Sequence, residues 1–210
     1  MRITPPITSM KGAFSVKGKN VVITGGNRGI GLGISTAFAQ SEANVVILCR
    51  NTEKGLRVVE DFRHYGGRYD CFRCDIADKK SVDHAVDQAY SFFDHVDVLV
   101  NNAGVATNVE FLKDSEMKEW HRIIDTNLHG VANMIYAVAP RMRKSGLGGR
   151  IINISSIGGQ FIGDALSHPN SPYHASKAAL DHFTRYLSIE LGDDGIRVNC
   201  IAPGPFHSDL

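Results

Sequence analysis

The sequence predicts an α/β fold, a doubly wound parallel sheet with helices on both faces. Three observations lead there. Six short, apolar, β-branched runs recur at 20–24, 43–49, 69–74, 96–100, 150–155 and 197–201. None alternates polar with apolar residues, the pattern of strands covered on both faces. Amphipathic helical stretches separate the runs, and βα units in series build a parallel sheet through right-handed crossovers. Glycine, 21 of 210 residues, falls at strand-to-helix junctions rather than in a linker.

The first run feeds Thr24-Gly25-Gly26-Asn27-Arg28-Gly29-Ile30-Gly31 and a helix carrying Ile34, Ala37 and Phe38. Glycines there permit a tight turn, approach of a phosphate to the backbone and close helix–strand packing. The helix N-terminus offers N–H donors and a positive dipole end to a pyrophosphate, so Gly25, Asn27, Arg28, Gly29, Ile30 and Gly31 form a candidate nucleotide cradle. The spacing is GxxxGxG, not GxGxxG, and no Gly-Lys-Ser/Thr follows to make a P-loop. A glycine-rich turn without a ligand remains open for this motif alone.

The second run ends in Leu48-Cys49-Arg50-Asn51, where an NAD site places an acid on the ribose 2′-hydroxyl. No acid stands there. Arg50 can pair with a 2′-phosphate, and Arg28 can close on it from the glycine loop, which favours NADP(H) over NAD(H). After the third run, Asp78 can cap a helix carrying Val82, Ala85, Val86 and Ala89.

Beyond the fourth run, Met117, Trp120, Ile124, Leu128, Val131, Ile135 and Val138 recur three or four apart and predict one long helix. Asn127 falls on its apolar row, where an unpartnered amide costs roughly 1–3 kcal/mol. A structural asparagine bonded to neighbouring backbone explains it as well as a functional one does. The fifth run leads into Ser155-Ser156-Ile157-Gly158-Gly159. Ser171-Pro172 then reads as N-cap and N1 proline of a last helix, closed by Gly192 and Gly195. On it Tyr173 and Lys177 stand four apart, on one face. An ammonium beside a phenol favours the phenolate and suits the phenol to general acid/base work on an alcohol–carbonyl couple. Such a pair also occurs on ordinary helices. No GxSxG surrounds Ser155 or Ser156, which counts against a hydrolase, and His174 reads as a partly exposed helix residue.

Composition excludes other classes. Lys plus Arg number 23 against 22 Asp plus Glu, so no nucleic-acid footprint is expected. No apolar run approaches the roughly 18 residues of a membrane helix, and residues 1–19 hold no signal-peptide core, so a cytoplasmic protein is expected. Cys71-Phe72-Arg73-Cys74 is a lone CxxC in a strand, with no second pair at metal spacing. No metal is expected, and Cys49, Cys71, Cys74 and Cys200 are expected to be reduced core thiols.

Taken in order, these residues resemble the short-chain dehydrogenase/reductase family, from about Lys19 to Ser208. The match comprises Thr24–Gly31, Asp75 after the third strand, Asn101-Asn102-Ala103-Gly104 after the fourth, Asn127, Ser156, the Tyr173/Lys177 pair and Pro203-Gly204. The resemblance implies a single Rossmann-type domain over 18–210 behind an N-terminal extension, 1–17. It also implies a small-molecule carbonyl or alcohol substrate and a homodimer or homotetramer. Tyr173 would give a proton to the carbonyl oxygen or remove it, and Ser156 would hydrogen-bond that oxygen. Lys177 would favour the Tyr173 phenolate and hold the nicotinamide ribose, and Asn127 would position a water joining Lys177 to solvent. Asn51, Asp75 and Ile76 would line the adenosine end, and Asn101, Asn102, Ala103 and Gly104 the middle of the crevice. Pro203 and Gly204, in a PGxxxT-like segment ending at Ser208, would lie by the nicotinamide.

Two features depart from the family. The gap from Ser156 to Tyr173 is longer than usual, which makes Phe161, Ile162, Leu166 and His168 candidate substrate contacts, with a plain surface loop as the alternative. The sequence ends at Leu210, before the family's seventh-strand region; either this sequence stops early, or this is a shortened member whose sixth strand would be left as a sheet edge. A second function class is therefore a catalytically weak nucleotide-binding protein acting through partners. A sugar epimerase or dehydratase of the extended relatives fits less well, the chain being short for their substrate domain.

Overall fold

A computed structural model describes residues 14–163 and 168–205. The strands are β1 (Asn20–Thr24), β2 (Asn44–Cys49), β3 (Tyr69–Arg73), β4 (Val98–Asn101), β5 (Gly149–Ile154) and β6 (Ile196–Ile201). The principal helices are α1 (Gly29–Gln40), α2 (Thr52–Phe62), α3 (Lys79–Phe92), α4 (Lys118–Ile124), α5 (Gly130–Ser145) and α6 (Ser171–Glu190). All strand pairs are parallel, in the order β3-β2-β1-β4-β5-β6.

Alternation along each strand sends side chains to two apolar layers. Val21, Ile23, Val45, Ile47 and Val100 meet α1 and α2 on one face. Val22, Val46, Leu99, Ile151 and Val198 meet α3, α5 and α6 on the other. Because both faces are covered, the central strands carry no polar alternation. The Rossmann-like doubly wound sheet predicted from the sequence is the fold found, and each strand lies within two residues of its expected span.

Three helix boundaries differ from expectation. The helix expected from Met117 is broken by a π turn at Asp125–His129, between α4 and α5. The extra residue in that turn rotates the buried face. Ile123, Asn127, Gly130 and Met134 are buried, whereas Met117 is 38% exposed and Trp120, Ile124 and Leu128 are only partly covered. Met117 itself, with φ of 54°, precedes the helix. At α6 the N-cap is Asn170, not Ser171, and its side-chain Oδ1 accepts from Thr107 N at 3.3 Å rather than from its own helix. That helix ends at Glu190 with Leu191 as C-cap, and the left-handed residue is Gly195, φ 71°, not Gly192. Asp78 caps α3 as expected, accepting from Lys80 N at 2.9 Å.

Candidate active site

β1 hands the chain to α1 on one face and β4 to α4 and α5 on the other, so a crevice opens at their carboxyl ends, the switch point where such sheets bind ligands. Its volume is about 400 Å³.

The floor is the glycine loop. Gly25 and Gly29 have φ of 66° and 51°, a left-handed backbone that glycine adopts without strain. A Cβ on Gly31 would stand 2.2 Å from Gly25 O and 2.4 Å from Asn102 Nδ2, so only glycine fits. The Asn102 amide donates to Thr24 O and Gly25 O, each at 3.1 Å, and Thr24 Oγ1 accepts from Asn102 N and Ala103 N. The β1 and β4 ends are thus tied as one wall. Gly29, Ile30 and Gly31 open the first turn of α1 onto the crevice.

The residues expected to bind the cofactor line this one crevice with a single exception: Gly25 and Asn27 to Gly31, Arg50 and Asn51, Asp75 and Ile76, Asn102 to Gly104, Tyr173 and Lys177, and Pro203 and Gly204 all do. Asn101 does not. It is 2% exposed, and its amide donates to Asn153 Oδ1 at 2.9 Å inside the sheet, so Asn102 takes the lining position instead. Sequence reasoning missed Lys54, which joins Arg28 and Arg50 in the crevice lining. The Asn51 side chain caps α2 by accepting from Lys54 N at 3.0 Å, which sets Lys54 in the first turn. Glu53 beside it is engaged by Arg57 at 2.6 Å. The visible signal was a second cation four residues after Arg50. Cys49, Cys74, Val105, Thr126 and Ser155 are further lining residues that carried no signal.

The opposite end holds Ser156, Tyr173 and Lys177. Lys177 is 4% exposed, its ammonium donates to Ile154 O at 2.7 Å, and it lies 5.6 Å from the Tyr173 ring centroid. Burial pulls its pKa from the ordinary 10.5 down to about 8, against the opposing charge of Asp181. Ser156 Oγ accepts from Gly158 N at 3.1 Å, capping a short 3-10 turn, and Ile157 N donates to Pro203 O at 3.0 Å. Ser155, 3% exposed, fastens the same loop to α6 through Lys177 O.

Asn127 lies behind the crevice wall and is fully buried. Its Oδ1 accepts from Val105 N at 2.8 Å, and its Nδ2 donates to Val105 O at 2.9 Å and Ser176 Oγ at 3.2 Å. The amide is therefore satisfied, and the π turn aims it there. A Cβ on Gly104 would meet Asn127 Oδ1 at 3.3 Å and Lys177 Nζ at 3.7 Å, so that glycine lies between the two side chains. Phe161 and Ile162, 68% and 82% exposed, and the exposed His168 are outside the crevice lining. Leu166 and Ser208 lie outside the described residues.

The cysteines differ from a CxxC unit. Cys71 Sγ touches Cys49 Sγ at 3.5 Å across β2 and β3, and Cys74 is buried apart from that contact. Burial pushes the Cys74 thiol up to about 12. Cys200 is only partly buried. Among the described residues no cluster of three or more His, Cys, Asp or Glu side chains is placed to hold a metal, and no helix is long and apolar enough to cross a membrane.

The donor set suits a nicotinamide dinucleotide, with helix N–H groups and cations at one end and hydroxyl, phenol and ammonium groups at the other. Comparison with known proteins agrees. The short chain dehydrogenase family model matches residues 19–210. The chain is 38% identical over 193 residues to the 3-oxoacyl-[acyl-carrier-protein] reductase FabG of Chlamydia muridarum, covering 91% of this chain and 75% of that one. It is 36% identical over 195 residues to the 7alpha-hydroxysteroid dehydrogenase of Escherichia coli K12, covering 91% and 72%. A crystal structure of a short-chain type dehydrogenase/reductase from Mycobacterium marinum superposes with a TM-score of 0.89 at 34% identity, covering 94% of this chain and 78% of that one. Fold, crevice and sequence agree that the chain belongs to the short-chain dehydrogenase/reductase family, oxidoreductases of alcohols and ketones that work with NAD(H) or NADP(H).

Proposed function

We propose that the chain is an NADP(H)-dependent oxidoreductase interconverting a secondary alcohol and a ketone. The observation that carries this is the convergence of Ser156, Tyr173 and Lys177 on the crevice whose far end gathers Arg28, Arg50 and Lys54. The cations favour the 2′-phosphate of NADP(H), since no acid stands at the end of β2 and Glu53 is taken by Arg57.

When bound, the nicotinamide supplies the hydride for reduction or accepts it in oxidation. In reduction Ser156 donates a hydrogen bond to the substrate oxygen, where negative charge develops. Tyr173 gives that oxygen its phenolic proton, and the ketone becomes the alcohol. Lys177 holds the ribose hydroxyls and stabilises the phenolate that remains. Asn127 fixes Val105 and seats the water beside Gly104 through which the proton is restored. The exposed Tyr136 on α5 and Tyr186 and Ile189 on α6 supply apolar surface for a homodimer or homotetramer.

Arg50→Asp tests the cofactor half of this proposal. Repulsion of the 2′-phosphate is expected to weaken NADPH binding at least about tenfold more than NADH binding, as losing one charge-assisted contact worth ~1.5–3 kcal/mol implies. A fluorescence titration reads both, and equal losses would remove Arg50 from the 2′-phosphate site. Turnover against a panel of ketones and aldehydes with NADPH tests the other half. Nucleotide binding without turnover would favour the binding-protein alternative.

A further inference from the structure

One buried charge in this region has no part in the proposed chemistry. Asp181 is 3% exposed and stands one turn beyond Lys177 on α6. Its donors are weak: Gln160 Nε2 reaches Oδ2 only at 3.5 Å, and the Cys200 thiol, a poor donor, reaches Oδ1 at 3.4 Å. A buried carboxylate is costly unless it is paired or strongly hydrogen-bonded, and an amide and a thiol at these distances do neither. Lys177, equally buried, donates its ammonium hydrogen bond to a backbone carbonyl, Ile154 O, which brings no compensating charge. Among the described residues Asp181 is the one charge that acts on the buried Lys177, and four-residue spacing sets the two on the same helix face, with Arg185 one turn further on beyond Asp181.

We infer that Asp181 is a positioning residue of the active site, the buried counter-charge that keeps Lys177 an ammonium and joins the Ser156 loop to the Tyr173/Lys177 helix. The second part follows from packing. A Cβ on Gly159 would stand 2.9 Å from Lys177 C and Ala178 N and 3.1 Å from Asp181 Oδ2, so the serine loop rests directly on α6 at this carboxylate. Gln160 continues from that loop, and Cys200 brings in β6. Asp181 thus touches each of the three elements that frame the catalytic end. The burial that lowers the Lys177 pKa is opposed by the charge of Asp181.

The groups facing this pair are few. Tyr173 faces Lys177 from the same helix. Cys200 from β6 faces Asp181, with Arg185 of α6 close enough to act on that thiol. Asn127, which flanks Gly104 together with the Lys177 ammonium, and Ser155, which bonds the Lys177 backbone carbonyl, are neutral. None of the neighbours replaces a carboxylate.

This inference deepens the reading of Lys177 given above and rests on it for its functional meaning, but its test does not need turnover. The side-chain 13Cε resonance of Lys177, assigned from Lys177→Arg, is titrated in the nucleotide-free protein with and without Asp181→Asn. The isosteric amide keeps the packing and removes the charge. The Lys177 midpoint is expected to fall by on the order of one pH unit. An unchanged midpoint in a folded variant overturns the inference. If Asp181→Asn does not fold, the double variant with Lys177→Met decides. Restored folding supports the charge pairing, because a lone buried ammonium was the fault. Folding not restored overturns it. In the ketone assay the alkaline limb of kcat is expected to move with the midpoint. Absence of any turnover in the wild-type chain would sink the enzymatic proposal and leave the Asp181 result standing.

Discussion

Tyr173→Phe is expected to abolish NADPH-dependent reduction of every substrate the wild-type chain accepts, with nucleotide affinity nearly unchanged. The substitution removes one oxygen from a half-buried ring that stays in its place, so the crevice keeps its shape. What is lost is the proton donor to the substrate oxygen, a general acid/base contribution of about 10²–10⁴-fold. Stopped-flow or steady-state turnover reads the loss, and fluorescence titration of NADPH reads the affinity. Turnover within a few fold of wild type would remove Tyr173 from the mechanism. A parallel loss of NADPH binding would mean that the phenol serves the cofactor site rather than the chemistry.

The second large effect is on stability. Lys177 falls from 10.5 to about 8 because it is buried, so between those pH values the unfolded chain holds a proton that the folded chain has released. Stability therefore rises with pH across that window, and the full penalty is present below pH 8. The difference in pKa corresponds to about 3 kcal/mol. In Lys177→Met that pH-dependent increment should vanish. The unmet Ile154 carbonyl costs the variant a fixed amount at every pH, so it drops out of the slope. Urea melts of both proteins from about pH 7 to about pH 10 should show wild-type stability gaining on the variant as pH rises. Parallel curves would mean that Lys177 is not desolvated in the folded protein.

Lys177 illustrates what the sequence could and could not reveal. The YxxxK spacing placed it beside Tyr173, and the two do share one crevice wall. Nothing in the spacing showed its dependence on Asp181, because that depends on burial of both side chains and on a loop resting at Gly159. The strands were legible because each is covered on both faces, which writes an unbroken apolar run into the chain. The π turn was not. An apolar row three or four apart is blind to one extra residue per turn, so Met117 and Leu128 were placed with the core while Met134 was missed. Asn127 stood out as a polar residue on that row, but its two bonds to Val105 come from a distant loop that sequence does not bring near. Asn101 and Asn102 differ for a simpler reason. The last residue of β4 still points into the sheet, and only the next one turns into the crevice. Lys54 carries no strand-end signal, because it lies past β2 in the first turn of α2, where the cap at Asn51 extends the wall.

The central claim is that the crevice between the glycine loop and the Tyr173/Lys177 helix binds NADP(H). A titration of the purified chain with NADPH and, separately, with NADH, followed by nicotinamide fluorescence, tests it most directly. Saturable binding of NADPH at least about tenfold tighter than NADH is the predicted result, the preference that one charge-assisted phosphate contact supplies. Equal affinity, or tighter binding of NADH, would contradict the assignment of Arg28, Arg50 and Lys54 to a 2′-phosphate, and no binding of either would contradict the site itself.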